Sequence, residues 1–311
     1  MNKTYDVIII GAGPAGLSAG LYAARAKLST LIIEKGIDGG QMSGTQEIAN
    51  YPGIDDPIAG MILGMKMANQ AKEFGAEKLL SDVLKMKLDG EIKEIETLDG
   101  TFYAKAVILT MGNKPRPIGV ENEEKFQGRG LSYCVTCDGA FYQDRHVYVI
   151  GGGDAAVEEA ISLTKFAKKV TIIHRRDELR AAKSIQEKAF ANPKVAFMWD
   201  SVVESLHGEK SLESMVVKNV KTGETTTVTD DDGLPLGVFL YIGFLPQTDL
   251  IENQINMDRG YIVTDENMET SIKGVYAAGD IRVKPLRQVV TAVSDGAIAA
   301  VSVEKYLEEN K

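Results

Sequence analysis

Cysteine is almost absent from this chain of 311 residues, which has only Cys134 and Cys137. A secreted domain stapled by several disulfides is thereby excluded, whereas one redox or metal pair is not. Histidine is nearly as scarce. None of His146, His174 and His207 stands at metal-ligand spacing from the cysteines, so a four-ligand zinc site is not expected. No run reaches the roughly 18 consecutive apolar residues of a membrane-spanning helix. Basic residues are outnumbered 35 to 44, for a net charge of −9. Nucleic acid and anionic membranes call for the opposite balance. The N-terminus has the outline of an export signal, with Lys3 before an apolar run at 7–10. Yet Asp6 and Gly11, Gly13, Gly16 and Gly20 break the apolar core such a signal needs, so a cytoplasmic protein is expected.

What is present is ordinary globular composition, 44% apolar and 25% charged, at a length that suggests two domains. Glycine is abundant, at 31 residues, and much of it clusters. An apolar strand at 5–10 enters Gly11-Ala12-Gly13-Pro14-Ala15-Gly16, a small-residue helix runs to about 26, and a strand at 30–33 ends at Glu34. This is the order of a dinucleotide-binding βαβ unit. Gly11 permits the tight turn, Gly13 admits a pyrophosphate, and Gly16 lets helix and strand approach. The helix N-terminus offers N–H groups to phosphate, and Glu34 can accept hydrogen bonds from a ribose. A second unit follows: a strand at 146–150, the loop Gly151-Gly152-Gly153-Asp154-Ala155-Ala156, a helix from about 157, and a strand at 170–173. That strand ends in His174-Arg175-Arg176, with Arg180 further on. An acid at this position suits a free 2′-hydroxyl; arginines suit a 2′-phosphate. The first unit therefore reads as a site for a ribose-hydroxyl dinucleotide such as FAD and the second as a site for NADPH.

Between the units, 97–102 reads as a hairpin turn, 106–110 as an apolar strand, and 113–117, with two prolines, as a stiff linker. A second linker is expected at 243–246. Beyond it, a strand at 274–278 runs into Gly279-Asp280, and a long helix spans about 288–307, resuming the first unit's pattern. The fold expected is α/β with two Rossmann-like, three-layer domains, the second inserted into the first: 1–113 with 245–311, and 114–244. Asp280 is placed to hold a ribityl hydroxyl. The acidic run Asp230-Asp231-Asp232 reads as a solvated turn.

The cysteines sit in Ser132-Tyr133-Cys134-Val135-Thr136-Cys137-Asp138-Gly139. Inert buried thiols are one reading; a C-x-x-C pair able to form a small-ring disulfide and exchange by thiolate attack is the better one. Asp138 strengthens it, because a carboxyl beside a thiolate is pushed toward its protonated form and can hand a proton to a leaving sulfur. Two hydride carriers and one exchangeable disulfide make an electron relay.

Over residues 5 to about 307 the sequence resembles the low-molecular-weight thioredoxin reductases, FAD/NADPH pyridine nucleotide-disulfide oxidoreductases. The resemblance rests on 11–16, Gly39-Gly40-Gln41, Asn50-Tyr51-Pro52-Gly53, 134–139, 151–160, 174–180, 243–246, 277–280 and Arg287-Gln288. It implies a homodimer whose domains rotate about the two linkers and whose carrier is thioredoxin. It implies that Cys137 faces the flavin, that Cys134 attacks the thioredoxin disulfide, and that Asp138 is the acid. Flavin contacts would come from Gly11, Gly13, Pro14, Ala15, Gly16, Glu34, Lys35, Gly40, Gln41, Asn50, Val83, Gly112, Gly279, Asp280, Arg287, Gln288 and Val289. NADPH would rest on Gly151, Gly153, Asp154, Ala155, Ala156, His174, Arg175, Arg176 and Arg180; no metal is implied. Three positions depart from the family's pattern. Val135 stands for the usual alanine and bears on how a partner fits, Ala155 for a Ser or Thr that would bond a phosphate, and Ala49 for an acid. Competing readings are the same relay serving a glutaredoxin-like or peroxidase-linked carrier, electrons drawn from ferredoxin, and a non-catalytic flavin and thiol redox sensor.

Overall fold

The computed structural model of the chain describes residues 3–45, 48, 50–54, 56, 58–230 and 233–310. Ala49, Asp231 and Asp232 lie outside the described residues. The chain divides into two compact units, Met1–Lys114 with Leu245–Lys311, and Pro115–Phe244. No helix among the described residues is long and apolar enough to cross a membrane.

The first unit is built on strands Thr4–Ile10, Thr30–Glu34 and Glu77–Leu80, joined in parallel, with Gly100–Leu109 on the other side of Thr4–Ile10. Val7, Ile8, Ile9 and Ile10 are buried on both faces, so the run is continuously apolar rather than alternating. Gly100–Leu109 is one strand, not the separate hairpin arm and later strand suggested by the sequence. Its first half pairs antiparallel with Lys93–Thr97, itself paired with Val83–Lys87, and its last three residues pair in parallel with Val275–Ala277. One strand thus serves both layers. Helices Pro14–Arg25 and Val289–Glu309 cover one face of the parallel sheet, through a core that includes Leu17, Ala19, Ala299, Ala300 and Val303. The antiparallel arm covers the other with Met86, Leu88 and Ile95.

The second unit repeats the plan. Its five parallel strands run in the order Val195–Met198, Lys169–Ile173, His146–Gly151, Gly237–Tyr241 and Leu131–Ser132. Helices Asp154–Leu163 and Lys183–Ala191 pack on one face, and a three-stranded antiparallel sheet of Ser201–His207, Ser214–Asn219 and Thr225–Thr229 on the other. Both units therefore have three layers, with parallel strands ending in a glycine loop. Each unit also closes its own end of the two crossings. Gln247 N donates to Gly112 O in the first, and Arg116 N to Gly243 O in the second.

Candidate active site

Thr4–Ile10 delivers the chain into a turn that only glycine accommodates. Gly11 has φ +108°, and a side chain there would meet Thr110 O at 2.7 Å. A β-carbon on Gly16 would lie 1.9 Å from Gly11 O, so this glycine lets the helix sit against the strand end. A β-carbon on Gly13 would meet nothing within 4 Å. Pro14 opens the helix, Gly13 supplies no side-chain cap, and the amides of the first turn are left for a ligand. Gly40 lies against Gly13, and Gly279 against Ala15. Glu34 ends its strand with Oε2 accepting from Ala12 N at 2.6 Å and Oε1 from Gly36 N at 2.8 Å, so the carboxylate is anchored to the glycine loop while each oxygen keeps acceptor capacity.

Asp280 follows at the end of Val275–Ala277. Its Oδ1 is buried without a hydrogen-bond partner, and burial pushes its carboxyl up against the opposing pull of Lys284 and Arg287. Asn113 Nδ2 is likewise buried and unpartnered, although Gln41 Nε2 donates to Asn113 Oδ1 at 2.8 Å. Such orphaned groups need a polar ligand. Asn50 Nδ2 donates to Gln288 Oε1 at 3.1 Å, and Gln288 caps the helix that begins at Val289 through a reciprocal box with Thr291. Arg287 lies over the Tyr261 ring, 4.3 Å from its centroid. An anchored acid, an open glycine cleft and an unpartnered buried carboxyl oxygen fit FAD: adenosine ribose at Glu34, pyrophosphate at Gly13 and ribityl hydroxyl at Asp280. Lys35 is exposed, and Val83 packs against the apolar core of the antiparallel arm.

Two residues of this neighbourhood carry no sequence signal. Thr110 Oγ1 donates to Ile10 O at 2.8 Å and fixes the turn. Asp295, in the last helix, is buried; it accepts from Gly279 N at 3.0 Å and from Lys284 Nζ at 2.7 Å, holding the turn that presents Asp280.

In the second unit, Gly151 has φ +152°, and the helix starts at Asp154, three residues earlier than the sequence suggested, directly on the glycine loop. Asp154 therefore sits in the first turn. Its Oδ1 accepts from Ala182 N at 2.7 Å, and Arg180 N donates to Gly152 O at 2.7 Å, folding 174–182 onto the loop. Ala155 is exposed, and Ala156 is buried against Gly151. His174 does not join the cationic face. It is 5% exposed, packs beneath Gly152, and is held neutral by burial, with Nε2 unpartnered. The first residue past a buried strand still points inward, whatever charged letters follow it. Arg175, Arg176 and Arg180 are exposed and pair with no carboxylate among the described residues. Lys221 takes up the adjacent Asp177 and Asp200, at 2.7 and 3.2 Å. Three unpaired guanidiniums beside an uncapped helix N-terminus fit a nucleotide carrying a 2′-phosphate.

Cys134 and Cys137 are joined as a disulfide, with Cα atoms 5.3 Å apart. Cys134 caps the short helix Val135–Asp138, its Sγ accepting from Cys137 N at 3.1 Å. Tyr241 OH accepts from Val135 N at 2.9 Å, tying this helix to the neighbouring strand end. Val135 is 3% exposed and belongs to the core, so its extra methyls face inward rather than toward a docking partner. Asp138 is half-buried; burial pushes its carboxyl up, opposed by the Ser132 hydroxyl, which donates to Oδ2 at 2.6 Å. Burial, helped by the same carboxylate, pushes the Tyr142 phenol up to about 12. Among the described residues no group of His, Cys, Asp and Glu could hold a metal.

Two nucleotide-binding units, one of which carries an exchangeable disulfide, define a nucleotide-driven disulfide oxidoreductase. The family model for "Pyridine nucleotide-disulphide oxidoreductase" matches residues 5–296, and the chain belongs to that family, whose members are enzymes working with FAD and NADPH. It is 54% identical to the "Thioredoxin reductase" of Peptoclostridium acidaminophilum over 100% of this chain and 99% of that one. Identity to the Bacillus subtilis (strain 168) protein of that name is 50%, over 99% and 96% of the two chains. The crystal structure of thioredoxin reductase from Streptococcus pyogenes MGAS5005 superposes with a TM-score of 0.92 at 49% identity, covering 99% of this chain and 100% of the other.

Proposed function

We propose that the chain is a thioredoxin-disulfide reductase: it passes electrons from NADPH through FAD to the Cys134–Cys137 disulfide and from the resulting dithiol to oxidised thioredoxin. The observation that carries this reading is a closed C-x-x-C disulfide with a half-buried carboxyl one residue on, in one loop. The bound cofactors supply the electron pair that opens the disulfide; every other step belongs to side chains. Cys134, as thiolate, attacks one sulfur of the carrier disulfide; that S–S bond breaks as the mixed disulfide forms, and the leaving sulfur takes a proton from Asp138. Cys137 then returns a proton to Asp138 and attacks Cys134 Sγ, re-forming the internal disulfide. The second carrier sulfur leaves and takes up from solvent the proton that Cys134 gave up on ionising. Two electrons and two protons reach the carrier.

Glu34, Gln41, Asn50, Asp280, Arg287 and the amides after Gly13 would hold FAD. Arg175, Arg176 and Arg180 would hold the 2′-phosphate of NADPH. The exposed, unpaired arginines favour NADPH over ferredoxin as donor. Reduction of disulfides suits the cytoplasm, and a homodimer whose units turn about 113–117 and 243–246 is the assembly proposed. Turnover of NADPH with oxidised thioredoxin, compared with glutaredoxin-like carriers, tests the assignment. Preference for thioredoxin together with loss of turnover in Cys134→Ser supports it. Equal use of all carriers, or flavin reduction without turnover of any, would instead favour a broader relay or a sensor.

A further inference from the structure

We propose that Ser132 is a positioning residue for the proton transfer, a hydroxyl that holds the Asp138 carboxyl in both of its protonation states while fixing the backbone of the attacking cysteine. The inference rests on Asp138 as the acid of the exchange. Ser132 closes the short strand Leu131–Ser132, whose register against Phe239 fixes its backbone, and the residue is 4% exposed. Its Oγ has three partners: Asp138 Oδ2 at 2.6 Å, Cys134 N at 3.1 Å and Cys134 O at 3.4 Å. A hydroxyl has one proton to donate and two lone pairs to accept with. Two consistent arrangements follow. With Asp138 ionised, Ser132 donates to Oδ2 and accepts from Cys134 N. With Asp138 protonated, the acid donates to Ser132 Oγ, and the hydroxyl proton turns to Cys134 O. A rotation about one C–O bond therefore follows each proton as it leaves and returns, and the carboxyl keeps its place beside the sulfurs throughout.

Among the described residues no other side chain hydrogen-bonds the Asp138 carboxyl. Tyr142 and Tyr241 face it across the packed elements, but neither phenol hydrogen-bonds it; Tyr241 OH accepts from Val135 N. Among the described residues no Lys, Arg or His adjoins the carboxyl, and Ser132 alone opposes the effect of its burial. Without the hydroxyl, the ionised form loses its donor, so Asp138 keeps its proton to higher pH.

The experiment is the pH profile of kcat/KM for oxidised thioredoxin with the FAD-loaded enzyme, each variant normalised to wild type so that titrations of the carrier cancel. Flavin absorbance and thermal melting are checked in parallel. In Ser132→Ala the alkaline limb should move upward by about one pH unit, the order expected for one hydrogen bond to a carboxylate. Ser132→Thr should keep the wild-type limb, and Ser132→Val, the same shape without the hydroxyl, should behave as the alanine variant and serves should that one fail to fold. A wild-type limb in Ala and Val alike, when Asp138→Asn has removed it, overturns the role of Ser132 alone. A limb that survives in Asp138→Asn overturns the acid assignment on which it rests.

Discussion

At the residue scale the chemistry converges on Cys134, Cys137 and Asp138. Cys137→Ser should still bind FAD and NADPH but lose thioredoxin reduction, as followed by NADPH oxidation, because the sulfur that closes the internal disulfide is gone. Asp138→Asn should lower kcat/KM for thioredoxin by about 100-fold or more, the usual contribution of a placed general acid. The sign of the pH dependence follows from burial raising this carboxyl. The acid works while protonated, so wild-type kcat/KM should fall as pH climbs through the raised value, and that fall should vanish in Asp138→Asn. The disulfide pair and the carboxyl beside it were legible in the sequence because they are neighbours in it. Tyr241, 106 residues beyond Val135, and Asp295, across the turn from Gly279, were not: their roles arise only when the sheet brings distant strand ends together. The burial of His174 was hidden for the opposite reason. Local letters made it part of a charge run, whereas the strand before it turns it inward under Gly152.

At the element scale, each strand–glycine loop–helix unit separates two demands that the sequence motif presents as one. The space around Gly16 bears out the packing role expected of it, and open space lies beside Gly13, where a pyrophosphate is proposed. Gly16→Ala should cost about 3 kcal/mol of stability in urea unfolding, because its methyl meets the Gly11 carbonyl and the helix must shift. Gly13→Ala should stay within about 1 kcal/mol of wild type, its φ of −72° being compatible with alanine, yet should lose FAD on dilution because the methyl enters the open cleft. Element type and order were readable from apolar runs and glycine clusters. Boundaries were less so: the helix at Asp154 begins earlier than expected because Gly153 serves as its N-cap, and Gly100–Leu109 is longer because its two halves answer to different partners.

At the scale of the whole molecule, the same three-layer plan occurs twice and differs at the end of the second strand, an anchored glutamate in one unit and unpaired arginines in the other. On the proposed function, that contrast puts FAD in the first unit and NADPH in the second. Arg175→Ala with Arg176→Ala should raise the KM for NADPH by about 10- to 100-fold and leave that for NADH nearly unchanged, since NADH lacks the 2′-phosphate. An equal effect on both would reject the assignment. The central claim is that electrons leave through a thiol pair recharged by bound flavin, and anaerobic dithionite titration of the FAD-loaded enzyme tests it most directly. Flavin and disulfide each take an electron pair. Wild type should therefore consume twice the reductant of the Cys134→Ser, Cys137→Ser double variant before both flavins are fully bleached and no disulfide remains. Equal consumption by the two proteins, or a purified chain that stays colourless with added FAD, would contradict the account.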